Sequence, residues 1–182
     1  TVAAKVMRVQ GHRPQQRAAS KRVMLAEADQ MSRLRHPGIV ALERYYVEPE
    51  RVVLVLELMQ GGTLLDHILD RGPMPEHEAR AALKALLGAL AHLHAHRVVH
   101  RDVKPDNVML PAAGAVAGAK LMDLGFAVGL RADGTFGDIS GTPAYMAPET
   151  VKFIRGDPDA QLTSKVACWA AGCVLYMLLG RY

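Results

Sequence analysis

Asp102, Lys104, Asp106 and Asn107 fall within the six residues "DVKPDN" of the stretch "HRDVKPDNVML" (100–110), directly after a long alanine- and leucine-rich run. A carboxylate can accept a proton, an ammonium can neutralise an anion, and carboxylate and amide oxygens suit a hard cation such as Mg²⁺. An ordinary charged surface turn has no need of that mixture at that spacing. A second acid-bearing turn, "DLG" (123–125), follows about 20 residues later. Alone it reads as a common Asp-x-Gly turn, and its place behind two short strands gives it weight. Lys5 sits inside an apolar stretch, and Glu27 lies on a helix-patterned one. Spacing alone leaves a plain structural salt bridge between those two equally open.

These groups need elements to position them. "VAAKVMRV" (2–9) has strand character, with Lys5 inside it. Val23, Leu25, Ala28, Met31 and Leu34 give "ASKRVMLAEADQMSRLR" (19–35) a helical apolar face, stopped by "HPGI" (36–39). "IVALERYYVE" and "RVVLVLELM" are two strands joined by an "EPE" turn, and "QGG" (60–62) breaks the second. "TLLDHILDRG" is a short helix ending at Gly72. Pro75 fits the first turn of the next helix, whose apolar face is Leu83, Leu86, Leu87, Leu90 and Leu93. "NVML" and "AKLMDL" are short strands around an Ala/Gly turn, residues 125–148 have no periodicity, and an apolar helix closes the chain. There is no internal repeat. Strands early and helices late indicate an α+β protein in two lobes.

Composition narrows the classes. The 182 residues, half of them apolar and 22% charged, can bury a core and are not those of a disordered chain. The net charge is +4 and the basic residues concentrate in "RVQGHRPQQRAASKR" (8–22). No aromatics interleave that stretch, so it is expected to be a solvated loop and not a nucleic-acid arm. Cys168 and Cys173 match no zinc spacing and are expected to be buried free thiols, which suits a reducing, cytoplasmic setting. The run "VACWAAGCVLYMLLG" (166–180) falls short of the roughly 20 residues a membrane span requires, so a buried core helix is expected. The opening "TVAAKVMRV" reads as though mid-domain, with no signal peptide.

In order along the chain, "VAAK" (2–5), the helical Glu27, "HRDVKPDN" (100–107), "DLG" (123–125), "GTPAYMAPE" (141–149) and "W-A-A-G" (169–172) resemble the motifs of the protein kinase family. The resemblance covers nearly the whole chain. It implies a two-lobed kinase fold, with residues 1–59 part of the small lobe and 60–182 part of the large one. It implies ATP and Mg²⁺ as cofactors and proteins bearing Ser or Thr as substrates. By the same resemblance Lys5 would pair with the α- and β-phosphates, held by Glu27. Asp102 would be the catalytic base, and Lys104 would neutralise charge on the γ-phosphoryl group. Asn107 and Asp123 would hold Mg²⁺. Leu56 would be the gatekeeper, the backbone of Glu57 and Met59 would meet the adenine edge, and Ala3 and Met109 would pack on its two faces. These last positions are apolar core residues as well.

"HRDVK", with Lys104 and with Thr142 ahead of "PAYMAPE", looks like a serine/threonine kinase, Thr142 helping to position the substrate. "HPGIV", "ELMQGGTLLDHI" and the final helix are most similar to the calcium/calmodulin-dependent group. Arg101 beside Asp102 resembles kinases switched on when an upstream kinase phosphorylates the activation loop, and Thr135 and Ser140 are the hydroxyls available, with unmodified loop residues the alternative.

Several positions depart from the family pattern. No glycine-rich phosphate loop precedes Lys5, and the resemblance implies a chain truncated at both ends, with Glu149 lacking a later Arg partner. Leu124 stands where Phe is usual, Ala167 where an Asp accepts backbone N–H groups of the "HRD" turn, and Thr63 where many basophilic relatives carry an acid. A pseudokinase or docking module without turnover is the alternative reading.

Overall fold

The computed structural model describes residues 1–180. Strand β1 (Val2–Arg8) leads through a turn into helix α1 (Pro14–Arg33), followed by strands β2 (Leu42–Val47) and β3 (Arg51–Glu57). The three strands form one antiparallel sheet in the order β1-β3-β2, with Lys5 opposite Leu54 and Ala3 opposite Leu56. The two-residue strand period puts Ala3, Lys5 and Met7 on one face of β1, the less exposed one. Central strand β3 alternates in the same way and buries Val52, Leu54 and Leu56.

Helix α1 begins at Pro14, five residues before the start read from the sequence, so much of the basic stretch is helical and not loop. Pro14 occupies the first turn, and Gln16 Oε1 accepts from the backbone N–H groups of His12 (3.1 Å) and Arg13 (3.2 Å). The basic residues are also partnered: Arg17 pairs with Glu50 (2.5 Å) and Lys21 donates to the Glu48 carbonyl (3.0 Å), which ties α1 to the β2–β3 turn. Glu27, Ala28 and Met31 are its buried face, and Leu34 caps it; Val23, expected inside, is 61% exposed.

The segment after α1 links the two parts of the chain. Val40 N–H donates to the Leu121 carbonyl (2.9 Å) and Leu121 N–H to that of Gly38 (2.8 Å). A Cβ on Gly38 would lie 2.9 Å from the Ala85 carbonyl oxygen, so the glycine permits this close approach.

Helix α2 (Leu64–Arg71) is capped by Thr63, whose hydroxyl accepts from Asp66 N–H (3.0 Å) while Asp66 accepts from Thr63 N–H (2.8 Å). That role accounts for Thr at 63. Helix α3 (Glu76–Ala95) buries Ala79, Ala82, Leu86, Ala89, Leu90 and Leu93. Its apolar stripe is centred on alanines and leucines together, so Leu87, expected on this face, is 43% exposed. Short pairs then carry the loops: β4 (Val98–Val99), β5 (Val108–Met109), β6 (Lys120–Leu121), β7 (Val128–Gly129), β8 (Thr135–Phe136) and, after helix α4 (Pro148–Ile154), β9 (Leu162–Thr163). β4 pairs with β7, β5 with β6 and β8 with β9.

Helix α5 (Lys165–Leu178) buries Val166, Ala167, Ala170, Ala171, Val174 and Leu178. Its opposite face is open: Trp169 is 49% and Tyr176 56% exposed. Cys168 is exposed and Cys173 partly so, which corrects the expectation of two buried thiols. The helix is apolar all round, and composition alone does not say which side is covered. Among the described residues, no helix is long and apolar enough to cross a membrane.

Candidate active site

Three elements meet at one ammonium. Lys5 Nζ lies 2.7 Å from Glu27 Oε1 and 2.9 Å from Asp123 Oδ1, bringing together β1, α1 and the turn after β6. Glu27 is buried, Lys5 and Asp123 half-buried. Burial pulls the Lys5 pKa down, but hydrogen bonds and charge from Glu27 and Asp123 outweigh it, and the net shift is upward. Burial likewise pushes Asp123 up, and the Lys5 ammonium together with Gly125 N–H (3.2 Å) brings it below the ordinary carboxylate value.

The local backbone explains the "DLG" turn. Asp123 has φ +65°, a left-handed conformation that Asp tolerates better than most residues. A Cβ on Gly125 would lie 3.1 Å from Asp123 Oδ1 and 3.3 Å from Glu27 Oε2, so a side chain there would crowd both carboxylates. Leu124 is 1% exposed and fills its apolar slot, in keeping with the role the usual Phe would have.

The loop after β4 builds a second cluster. Asp102 Oδ1 accepts from the Thr142 hydroxyl at 2.7 Å, and its Oδ2 accepts from Asn107 Nδ2 at 2.9 Å and lies 3.1 Å from Lys104 Nζ. Lys104 also donates to Thr142 Oγ1 (2.9 Å), closing a ring of three side chains. Asn107 gives its second amide hydrogen to the Asp102 carbonyl (2.7 Å), so its side-chain oxygen remains as an acceptor. Burial raises the Asp102 pKa, and the bonds from Thr142, Lys104 and Asn107 more than reverse that, holding it below the usual carboxylate range.

His100 joins the two clusters. It is fully buried, its Nε2 lies 2.9 Å from the Met122 carbonyl and its Nδ1 accepts from Asp102 N–H at 3.2 Å. One nitrogen donating and the other accepting is the pattern of a neutral imidazole, and burial lowers its pKa accordingly. Sequence reasoning treated His100 only as a motif letter. Arg101 reaches further, to the Phe126 carbonyl and to Asp138 (both 2.5 Å), and Asp138 was also missed. No periodicity marks Asp138; it lies in an irregular stretch.

The remaining positions read from the sequence lie on β1, on β3 and just after it, and on β5. Ala3 and Leu56 are register partners, Met109 bridges to Thr63, Leu56 and Met59 are buried, and Ala3, Glu57 and Met109 are partly so. Glu57 N–H is committed to the Ala41 carbonyl (3.0 Å), and its carboxylate to Lys120 (2.7 and 2.9 Å) and Ala41 N–H (2.6 Å). Of the backbone groups expected to meet the adenine edge, Glu57 can therefore offer only its carbonyl. Thr135 is hydrogen-bonded to Asp133 (2.7 Å) and Ser140 is half-buried. Ala167 lines, with Arg101, Asp102 and Val103, a cavity of about 30 Å³, enough for one water where the family pattern has a carboxylate.

The amino-acid sequence matches the family described as protein kinase domain over residues 1–182. The chain belongs to the protein kinase family. It is 33% identical over 163 residues to calcium/calmodulin-dependent protein kinase type IV of Mus musculus, covering 90% of this chain and 34% of that protein. Against serine/threonine-protein kinase cds1 of Schizosaccharomyces pombe it is 35% identical over 154 residues, 84% of this chain and 33% of the relative. Calcium-dependent protein kinase 32 of Arabidopsis thaliana is 38% identical over 144 residues, 79% of this chain and 26% of that one. The kinase chain thus spans about a third or less of the length of these three relatives. Its fold is the two-lobed kinase fold in part, as the motifs implied.

Proposed function

We propose that this kinase chain transfers the γ-phosphoryl group of ATP to serine and threonine hydroxyls of protein substrates. The observation that carries the reading is the Lys5 ammonium held between Glu27 and Asp123, residues 22 and 118 positions away in the chain. An ammonium fixed in that way would bind the α- and β-phosphates without further reorganisation. Asp102 would accept the proton of the attacking hydroxyl, whose oxygen takes the phosphoryl group as the bond to ADP breaks. The Thr142 hydroxyl already donates to Asp102, which supports the carboxylate as an acceptor for alcohols. Lys104 would neutralise charge on the moving group.

The residues present fit Mg²⁺. Asp123 uses Oδ1 for Lys5 and Gly125, which leaves Oδ2, and Asn107 keeps its side-chain oxygen. Among the described residues no group of three or more His, Cys, Asp or Glu side chains could hold a metal alone. Two oxygens completed by water and phosphate suit Mg²⁺, which when bound would compensate charge on the phosphate oxygens. The adenine would lie between Ala3 and Met109, against Leu56, with the Glu57 carbonyl and the Met59 backbone at its edge. Survival of all five polar residues Lys5, Glu27, Asp102, Asn107 and Asp123 in working contact supports turnover over a docking role alone.

The test is Mg·ATP-dependent labelling of a Ser/Thr peptide mixture by the intact protein, with Asp102→Asn beside it. Incorporation that drops by about 10²–10⁴-fold in the variant supports the reading. Absence of transfer by the parent protein, or equal transfer by the variant, removes it.

A further inference from the structure

Arg101 sits next to the proposed base and spans two segments. Its φ is +68°, and its side chain is only 10% exposed. Nε donates to the carbonyl of Phe126, just past the "DLG" turn, at 2.5 Å. Nη1 donates to Asp138, to the carboxylate at 2.5 Å and to the backbone carbonyl at 3.3 Å. Asp138 stands four residues before Thr142, which bonds Asp102. Between them Gly141, at φ +108°, brings the segment so close that a Cβ would lie 2.2 Å from the Arg101 carbonyl oxygen. The chain from 138 to 142 is therefore pinned against Arg101 at one end and Asp102 at the other.

An Arg so enclosed needs an anion, and a phosphate added to the loop is one way to supply it. Here a carboxylate of the chain already does. The hydroxyl of Thr135 is committed to Asp133, and Thr135 itself is paired into β8–β9. We propose that Asp138 is a resident counter-anion for Arg101, a positioning residue that sets the 138–142 segment beside Asp102 and makes phosphorylation of this loop unnecessary for activity. This rests on the kinase reading. It goes beyond it by assigning the order of the loop to a side chain of the loop itself and by removing the need for an upstream kinase acting on Thr135 or Ser140.

The test uses the intact protein, treated with phosphatase until its mass carries no phosphate, with peptide phosphorylation measured at saturating ATP. The dephosphorylated protein, and the double variant Thr135→Ala/Ser140→Ala, should keep kcat within about twofold of the untreated protein. Asp138→Asn should lose about tenfold or more in kcat with its KM for ATP little changed, and Asp138→Glu should recover most of the loss. A general structural defect would not be repaired by the longer acid, nor spare nucleotide affinity. Two results overturn the proposal: activity that disappears on phosphatase treatment and returns with phosphate on Thr135 or Ser140, or full activity in Asp138→Asn. The dephosphorylated protein and the double variant decide the matter even where Asp138→Asn does not fold. Should the untreated protein itself transfer nothing under any condition, the kinase reading falls, a result distinct from either of these.

Discussion

At Asp102, Asp123 and His100 the same physical effect appears with different outcomes. Burial penalises the charged form of each. The two carboxylates meet enough donors to stay ionised, whereas His100 faces a carbonyl and an N–H and stays neutral. The sign of the pH dependence follows. A group with a depressed pKa in the folded state stabilises the fold above its unfolded value and loses that contribution as pH falls. For His100 the loss begins near its ordinary value of 6.5, and for Asp102 and Asp123 below about 3.8. Lys5, shifted upward, contributes at all pH below 10.5 and loses it above. Thermal unfolding followed from pH 8 to 5 should therefore show falling stability below about pH 6.5, at most about 1.4 kcal/mol per pH unit per group. His100→Gln should be less stable at pH 8 but have a shallower slope. His92 and His94, also depressed by burial, account for the rest of that slope. A parent protein with flat stability over this range contradicts the neutral assignment. These residues were legible as motif letters because their spacing is unusual. The Lys5–Glu27 pair was expected from the family resemblance alone, whereas the bond from Thr142 to Asp102 was not, since those two are 40 positions apart in the chain.

Elements were legible where the apolar period was strong and misleading where another force set the boundary. The strands β1 and β3 and the helices α2 and α3 follow their patterns. Helix α1 starts early because Pro14 suits the first turn and the Gln16 side chain holds the N–H groups of His12 and Arg13 just before it, and such polar contacts leave no hydrophobic trace. Gly11 permits the entry turn: its φ is +112° and a Cβ would lie 2.5 Å from Gln16 Cβ. Gly11→Ala should cost about 1–3 kcal/mol, read from denaturant unfolding, and a neutral result would contradict this account of the helix start. Gly125→Ala is of a different kind. Its Cβ would press on Asp123 and Glu27 from a partly open turn. Activity should fall by about tenfold or more while the unfolding midpoint moves little, and the reverse pattern would place the role of Gly125 in folding.

Across the described residues, specific links join the sheet part to the helical part, among them the 38–40 segment paired to Leu121, the Glu57–Lys120 pair and the Lys5–Asp123 pair. The kinase architecture was readable from the order of six motifs, because phosphoryl transfer needs those residue types at fixed separations. What stayed hidden was the side of α5 that is covered, and the carboxylate that answers Arg101. Both depend on tertiary placement of segments that carry no period of their own. Glu57→Gln should loosen one link between the parts. Its pair with Lys120 is half-buried, so about 1 kcal/mol of stability is expected, together with a rise in KM for ATP at nearly unchanged kcat. An unchanged KM would mean that the pair has no part in holding the nucleotide edge.

Under the proposed function, Lys5 and Glu27 work as one unit on the nucleotide. A double-mutant cycle in kcat/KM for ATP, with Lys5→Met, Glu27→Gln and both together in the intact protein, tests it most directly. Each single change should cost about 10²-fold or more, and the double should be no worse than Lys5→Met within about threefold. Losses that multiply, or single variants that keep their activity, would contradict it.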